Sequence, residues 1–185
     1  MRRVVYTAPD DEFAVLELES PGTRSRIFAV GQLAGISEGE TLQVAGSFEV
    51  HGQYGRRLRV ERALPIGPQT RVGVEKYLAT FAGLGPELAR RIVEKFGISA
   101  LEVLENETFR VAEIKGVGKR RAQRAAGEAQ RRREEREVMV FLQSLGVSAA
   151  YAARIRKRYG QSAISRVKED PYALARDIPG IGFLL

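Results

Sequence analysis

Apolar and polar positions alternate with a period near two along the first third of the chain and recur every three to four residues along the rest. The stretches "RRVVYT", "EFAVLELE", "SRIFAVGQL", "ETLQVAGSFEV" and "RRLRVERAL" are rich in Val, Leu, Phe and Ile, and turn residues such as Pro21-Gly22 and Ser37-Glu38-Gly39 separate them. They predict five strands. Closure into a barrel removes the exposed edges of so small a sheet, so an OB-like barrel over residues 1–66 is the first expectation; an SH3-like barrel would leave much the same pattern.

"LPIGPQTRVG", residues 64–73, contains two prolines and two glycines and marks the change of period. Beyond it "VEKYLATFA", "PELARRIVEKFG", "SALEVLEN", "KRRAQRAAGEAQRRREEREVMVFLQSL", "SAAYAARIRKRYG", "SAISRVKED" and "PYALARDI" all read as helix, with Pro86 at a first-turn position. Gly97 and Gly160 each follow an aromatic, where a glycine would end a helix. The region from 110 to 140 is compatible with one long helix or two. The expected fold class is therefore α+β in two domains, a small barrel over 1–66 and an all-α domain over 67–185.

The helical part repeats itself. An offset of 63 residues aligns "GLGPELARRIVEKFGISALEVL" from Gly83 with "GVSAAYAARIRKRYGQSAISRV" from Gly146, matching Ala89 with Ala152, Ile92 with Ile155, Phe96 with Tyr159 and Gly97 with Gly160. Each copy carries two short turns: "GLG" (83–85) and "GVG" (116–118), then "GVS" (146–148) and "GIG" (180–182). The first three have an alanine, Ala89, Ala122 or Ala152, four residues beyond the turn. Glycines allow the backbone angles of a tight bend, the apolar residue between them plugs the gap between two helices, and the small alanine lets the helices close. Amides at the second helix's N-terminus then face outward and favour an anion such as phosphate.

This pattern resembles the helix-hairpin-helix motif of sequence-independent DNA-binding proteins, in four consecutive copies. "HGQYGRRLRV", "VEKYLATFAGLGPELARRIVEKFG", "FLQSLGVSAAYAARIRKRYG" and "DPYALARDIPGIGF" are together similar to the N-terminal region of RecD-like (RecD/TraA family) DNA helicases. The resemblance implies a DNA-binding accessory region preceding an ATP- and Mg2+-dependent motor that unwinds duplex 5′ to 3′, with roles in DNA repair and recombination. It also implies single-stranded or forked DNA and the motor domains of the same parent chain as partners. No G-x-x-x-x-G-K-[ST] stretch occurs: Gly118-Lys119 is followed by Arg120. No cofactor is expected for these residues themselves. The chain ends at "GIGFLL", inside the fourth hairpin and before its packing alanine, and so reads as an N-terminal fragment, natural or engineered.

Composition sharpens the partner. The chain has 185 residues with 30 Lys and Arg against 23 Asp and Glu, a net charge of +7, which favours polyanions. From Lys115 to Arg136 nine basic residues face three acidic ones, a local +6. A solvated helix face is the plain alternative. Gly116, Gly118, Lys119, Arg120 and Arg121, with Arg124 one turn on, form the main candidate phosphate site. Gly146, Ser148 and Arg154 of the third turn and Gly180 and Gly182 of the fourth are further candidates; Pro86-Glu87 makes the first turn better suited to packing. On the barrel, Tyr54, Arg57 and Arg59 could stack bases and track phosphates, or form an ordinary polar strand face.

Other chemistry finds little support. There is no cysteine and one histidine, His51, so a metal site is not expected and a turn or hydrogen-bonding role suits His51. Asp10-Asp11-Glu12 and Glu134-Glu135 have no nucleophile or metal ligand beside them. No membrane span or leader is legible, and a cytoplasmic setting is expected. Phe81, Leu84, Leu88, Ile92, Val93, Phe96, Leu101, Leu104, Phe109 and Ile114 are expected in the core. A protein-interaction or structural module, with hairpins kept for folding, is the rival to DNA binding.

Overall fold

The computed structural model describes residues 1–8, 13–20, 23–33, 36–53, 55–170 and 172–178. Tyr54, Gly180 and Gly182 among the candidate site residues, together with the turn at 21–22 and the acidic stretch 10–12, lie outside the described residues. Five strands, β1 (Arg3–Thr7), β2 (Ala14–Glu19), β3 (Arg26–Gly31), β4 (Thr41–His51) and β5 (Gly55–Gly67), form one sheet in the order β1-β2-β3-β5-β4. The pairings are antiparallel except β3 with β5, which is parallel. Alternation turns Ala14, Leu16 and Leu18 inward against Ala29, Leu33 and Ala63, which form the barrel core.

The sheet curls because β4 bends. A side chain at Gly46 would stand 2.0 Å from the carbonyl oxygen of Arg59, and the register shifts between Ala45 and Gly46. β1 and β4 are the outer strands of the ladder; the Met1 amine donates to the Glu40 carbonyl at 2.5 Å and the Gly39 amide to the Met1 carbonyl at 3.1 Å, lacing the two together at one end. On the outer face of β2, Glu17 is only 3% exposed although charged. It accepts a hydrogen bond from Arg3 Nε at 2.7 Å and lies 3.4 Å and 3.6 Å from Arg2 and Arg26. The bond from Arg3 and the surrounding guanidinium charges hold its carboxyl below the usual carboxylate range.

The helical part contains α1 (Arg71–Ala79), α2 (Gly85–Phe96), α3 (Ala100–Asn106), α4 (Thr108–Ala112), α5 (Gly118–Ser144), α6 (Ala149–Tyr159), α7 (Ala163–Glu169) and α8 (Ala173–Asp177). Thr70 caps α1, its hydroxyl accepting from the Gly73 amide at 3.0 Å. The repeat is visible in the backbone. α2 and α6 both end in a glycine with positive φ, Gly97 at 62° and Gly160 at 56°, and each is followed by a 3-10 turn, Gly97–Ser99 and Gly160–Ser162.

One continuous 27-residue helix, α5, serves both copies. Its front half supplies Ala122, Ala125 and Ala129 to the first helical core, and its back half supplies Val138, Met139 and Leu142 to the second. Phe109 departs from the expected core: it is 67% exposed, because Val111 and Ile114 take the inward positions of this segment. Leu88, Phe96 and Leu101 pack at the margin of that core rather than within it.

Barrel and helices meet through two glycines and two arginines. A side chain at Gly39 would stand 2.1 Å from the Gly73 carbonyl oxygen and 2.6 Å from the Tyr77 amide nitrogen, so the loop before β4 lies directly on α1. Arg136 from α5 donates to the Tyr77 hydroxyl at 2.6 Å and to Glu40 at 3.3 Å. Arg132 donates to Thr80 at 2.8 Å and Ser37 at 3.4 Å, with its guanidinium 4.5 Å from the Phe81 ring centre. Glu40 is 2% exposed; burial pushes its carboxyl above the ordinary value, opposed by the Ser37 amide and Arg136.

Gly39→Ala is expected to destabilise the chain by about 2–4 kcal/mol, from overpacking and a positive φ, seen as a lower midpoint in thermal unfolding. In acid, Glu17 and Glu40 act in opposite senses. Glu17 has a lowered folded value, so the stability it contributes is present above its unfolded value of 4.5 and lost as pH falls through the folded one. Glu40 has a raised folded value, so its protonation favours the folded form. Denaturant titrations across pH should therefore show the acid limb flattened by Glu17→Gln and not by Glu40→Gln.

Candidate nucleic-acid interface

The second hairpin joins α4 to α5 through Gly116 and Gly118, with φ of 93° and 68°. Val117 between them is 3% exposed and Ala122, one turn into α5, is fully buried, so plug and small residue occupy the places their spacing implied. The Val117 amide donates to the Ile114 carbonyl at 2.9 Å, closing the turn. No side chain caps α5, which leaves the first-turn amides facing outward with the positive end of the helix dipole. Arg121 donates to the Gly116 carbonyl at 2.6 Å and Arg91 to the Lys115 carbonyl at 3.0 Å, so guanidinium groups cover the turn's acceptors and leave its donors outermost. Lys115, Lys119, Arg120, Arg121 and Arg124 are all exposed, and among the described residues none forms an ion pair.

The first hairpin has the same shape, with an acidic residue where the second has a basic one. Gly83 and Gly85 have φ of 87° and 62°, Leu84 is the plug and Ala89 is fully buried. Pro86 removes one amide, and the Glu87 carboxylate is bound by Arg90 at 3.0 Å and Arg91 at 3.1 Å. The hydrogen bond and charge of Arg90, then those of Arg91, hold Glu87 below the ordinary carboxylate value. Behind it Glu128 of α5 accepts from the Ala82 amide at 3.1 Å.

The third hairpin is built differently. Gly146 has φ of 82°, but Ser148 is extended and caps α6 with its hydroxyl, accepting from the Tyr151 amide at 3.4 Å. Arg154 sits on the exposed side of α6 with its guanidinium 5.6 Å from the Tyr151 ring centre. Gly146, Ser148 and Arg154 thus share one helix start, separated by the whole length of α5 from Gly118.

On the barrel, Arg57 pairs with Glu49 at 2.6 Å across β4 and β5, while Arg59 is 72% exposed and 3.8 Å from the same carboxylate. The register Ala29↔Leu58 puts Phe28 beside Arg57 on the outer face, 39% exposed. Phe48 is 52% exposed beneath Arg56, whose guanidinium is 4.3 Å from the ring centre. Sequence reasoning named Tyr54 as the barrel's aromatic and passed over Phe28 and Phe48. The parity of "SRIFAVGQL" held the signal for Phe28, since Ile27 and Ala29 point inward. His51 Nδ1 accepts from the Gln53 amide at 3.3 Å in the β4–β5 turn.

Three family models tile the sequence: the OB-fold domain of ATP-dependent DNA helicase YrrC over residues 1–68, a SAM-like helix-hairpin-helix tandem over 75–131, and the HHH domain of ATP-dependent RecD2 DNA helicase over 130–185. Piece by piece, the chain is similar to the OB-fold and helix-hairpin-helix domains of RecD2-type DNA helicases. The ATP-dependent RecD2 DNA helicase of Deinococcus radiodurans is 29% identical over 160 residues, 84% of this chain and 22% of the relative, so the chain spans about a fifth of that helicase. The OB reading of the barrel therefore stands over the SH3-like one, in an α+β chain.

Within the helical part the basic run from 115 to 136 splits in two. Its front half is the free cluster at the hairpin. In its back half three of the four arginines are held by structure, Arg132 by Glu128 at 2.5 Å, Arg133 by Glu105 at 3.1 Å and Arg136 by Glu40, while Arg131 is exposed with no ion pair among the described residues. Glu135 binds Arg156 at 2.8 Å and Glu134 accepts from Gln161, tying the second repeat to α5. Among the described residues no group of acidic residues and histidine is arranged to hold a metal, and no helix is long and apolar enough to cross a membrane.

A methyl group at Gly118 meets nothing within 4 Å, so only its positive φ resists substitution. Gly118→Ala should cost about 1–2 kcal/mol by thermal unfolding, whereas Ala122→Leu, with no space beside a fully buried methyl, should cost more.

Proposed function

We propose that this chain is a non-catalytic DNA-binding accessory module of a RecD2-like helicase, which holds the DNA backbone without sequence preference and presents single-stranded or forked DNA to a motor elsewhere in the parent protein. One observation carries the reading: the cations at the GVG hairpin are exposed and unpaired among the described residues, while Arg132, Arg133 and Arg136 further along the same run are in ion pairs. Backbone amides of Gly118 and the residues after it hold one phosphate, and Lys119, Arg120, Arg121 and Arg124 attract its neighbours. Gly116 shapes the turn. The domains fall at 1–66 and 67–185.

Arg57 and Arg59 are candidates for further phosphate contacts on the barrel, with Phe28 as a ring beside Arg57 and Tyr54 as a candidate from its sequence alone. Gly146, Ser148 and Arg154 form a separate candidate at the third turn, and Gly180 and Gly182 are candidates from their sequence alone. ATP and Mg2+ belong to the motor, and the parent acts in the cytoplasm, in repair or recombination. The relative's name, an ATP-dependent DNA helicase, supports the motor and DNA parts of this reading.

The barrel also favours a second reading, in part. Val4, Val5 and Tyr6 on β1 and Phe48 and Val50 on β4 are exposed along the two outer strands, which suits contact with a protein. Fluorescence anisotropy with labelled single-stranded and forked DNA separates the two. Lys119→Glu/Arg120→Glu/Arg121→Glu should weaken binding at least about tenfold at low salt and reduce the salt slope by about two for a single strand, with an unchanged circular dichroism spectrum. Unchanged affinity in the folded triple variant would remove the hairpin from the DNA site and leave the protein-contact reading.

A further inference from the structure

We infer that the first helix-hairpin-helix tandem grips only one of the two strands of a duplex, because its first hairpin lacks one amide and carries a carboxylate at the start of its second helix. The inference rests on the DNA-binding reading of the second hairpin. The two turns align residue for residue: Gly83-Leu84-Gly85-Pro86-Glu87 against Gly116-Val117-Gly118-Lys119-Arg120, each followed by its buried alanine. With matching backbone, the difference in what they attract lies in the side chains and the missing amide.

Three features remove the first turn from phosphate binding. Pro86 has no amide to offer where Lys119 has one. Glu87 places a carboxylate, already bound by Arg90 and Arg91, at the helix start where a phosphate would come. Glu128 reaches the Ala82 amide at the mouth of the same turn and is itself held by Arg132. No side chain caps α2, but its start lacks one amide and carries the Glu87 carboxylate, and the Ala82 amide ahead of the turn is already taken by Glu128. Arg91 links the turns: it binds Glu87 and also the Lys115 carbonyl, so its charge is divided between the two hairpins.

A single strand offers one backbone and loses nothing to this arrangement. A duplex offers two, and the second finds a carboxylate. Glu87 and Pro86 are therefore determinants of strand preference, and Glu128 a positioning residue that acts through the Ala82 amide. The first hairpin also keeps its folding role, since Leu84 and Ala89 belong to the core.

The test converts the first turn to the sequence of the second. Pro86→Lys/Glu87→Arg, measured beside Glu61→Lys/Glu102→Lys, which adds more positive charge at exposed positions away from the turn, is titrated against one oligonucleotide both single-stranded and as a blunt duplex. The expected result is a several-fold gain in duplex affinity with a salt slope steeper by about one to two, a smaller gain on the single strand, and no comparable change in the Glu61/Glu102 variant. Equal gains on both DNAs, or the same gain from the control, would overturn the inference while leaving the second hairpin as a DNA site. If the Lys119/Arg120/Arg121 charge reversal leaves binding untouched, the underlying reading falls and this one with it. Glu87→Gln, which keeps Pro86 and the turn intact, repeats the comparison should the double variant melt early.

Discussion

The rest of the structure depends on the contact of backbone with backbone between Gly39 and Gly73. Neither position has room for a methyl group, so loop and helix meet at the closest distance a polypeptide allows. That contact brings Glu40 under the arginines of α5 and seals it from water. A buried carboxylate left alone is costly, and one partner lost would strand the other. Barrel and first helical repeat therefore behave as one folded body, with Arg132 and Arg136 binding groups from both.

This joint explains why positive charge is unevenly available. Arginine is suited to such a place, because its flat guanidinium can lie against the rings of Tyr77 and Phe81 while its edge reaches Thr80, Ser37 and Glu128. Once these contacts form, the same side chains are only 19% and 20% exposed and are engaged with groups of their own chain. Lys119, Arg120 and Arg124 stand on the opposite end of the helix, beyond the reach of barrel carboxylates, and stay hydrated. A tally of charge by sequence window merges two populations that the fold separates.

Strand alternation, the change of period near residue 67, the tandem repeat and the plug-and-alanine logic of the hairpins were all legible, because each depends on spacing within one element or between equivalent ones. Leu84, Val117, Ala89, Ala122 and Ala152 are buried where that spacing put them. The spent arginines were not legible, since Arg132 and Arg136 meet Ser37 and Glu40 across 95 and 96 residues of sequence. Nor was Glu128, which reaches Ala82 from 46 residues away. Phe109 misled for a local reason: in a five-residue helix the apolar period is too short to fix which side faces inward.

The uninterrupted course of α5 has a mechanical consequence. Its 27 residues make a rod about 40 Å long, anchored in one core at its front and in another at its back. A helix of that length bends little, so a tilt of about 5° at the end that carries Gly118 displaces the far end by about 3.5 Å. Whatever seats itself on the second hairpin thus has leverage on α6 and the helices beyond it, and strain at one repeat arrives at the other as movement.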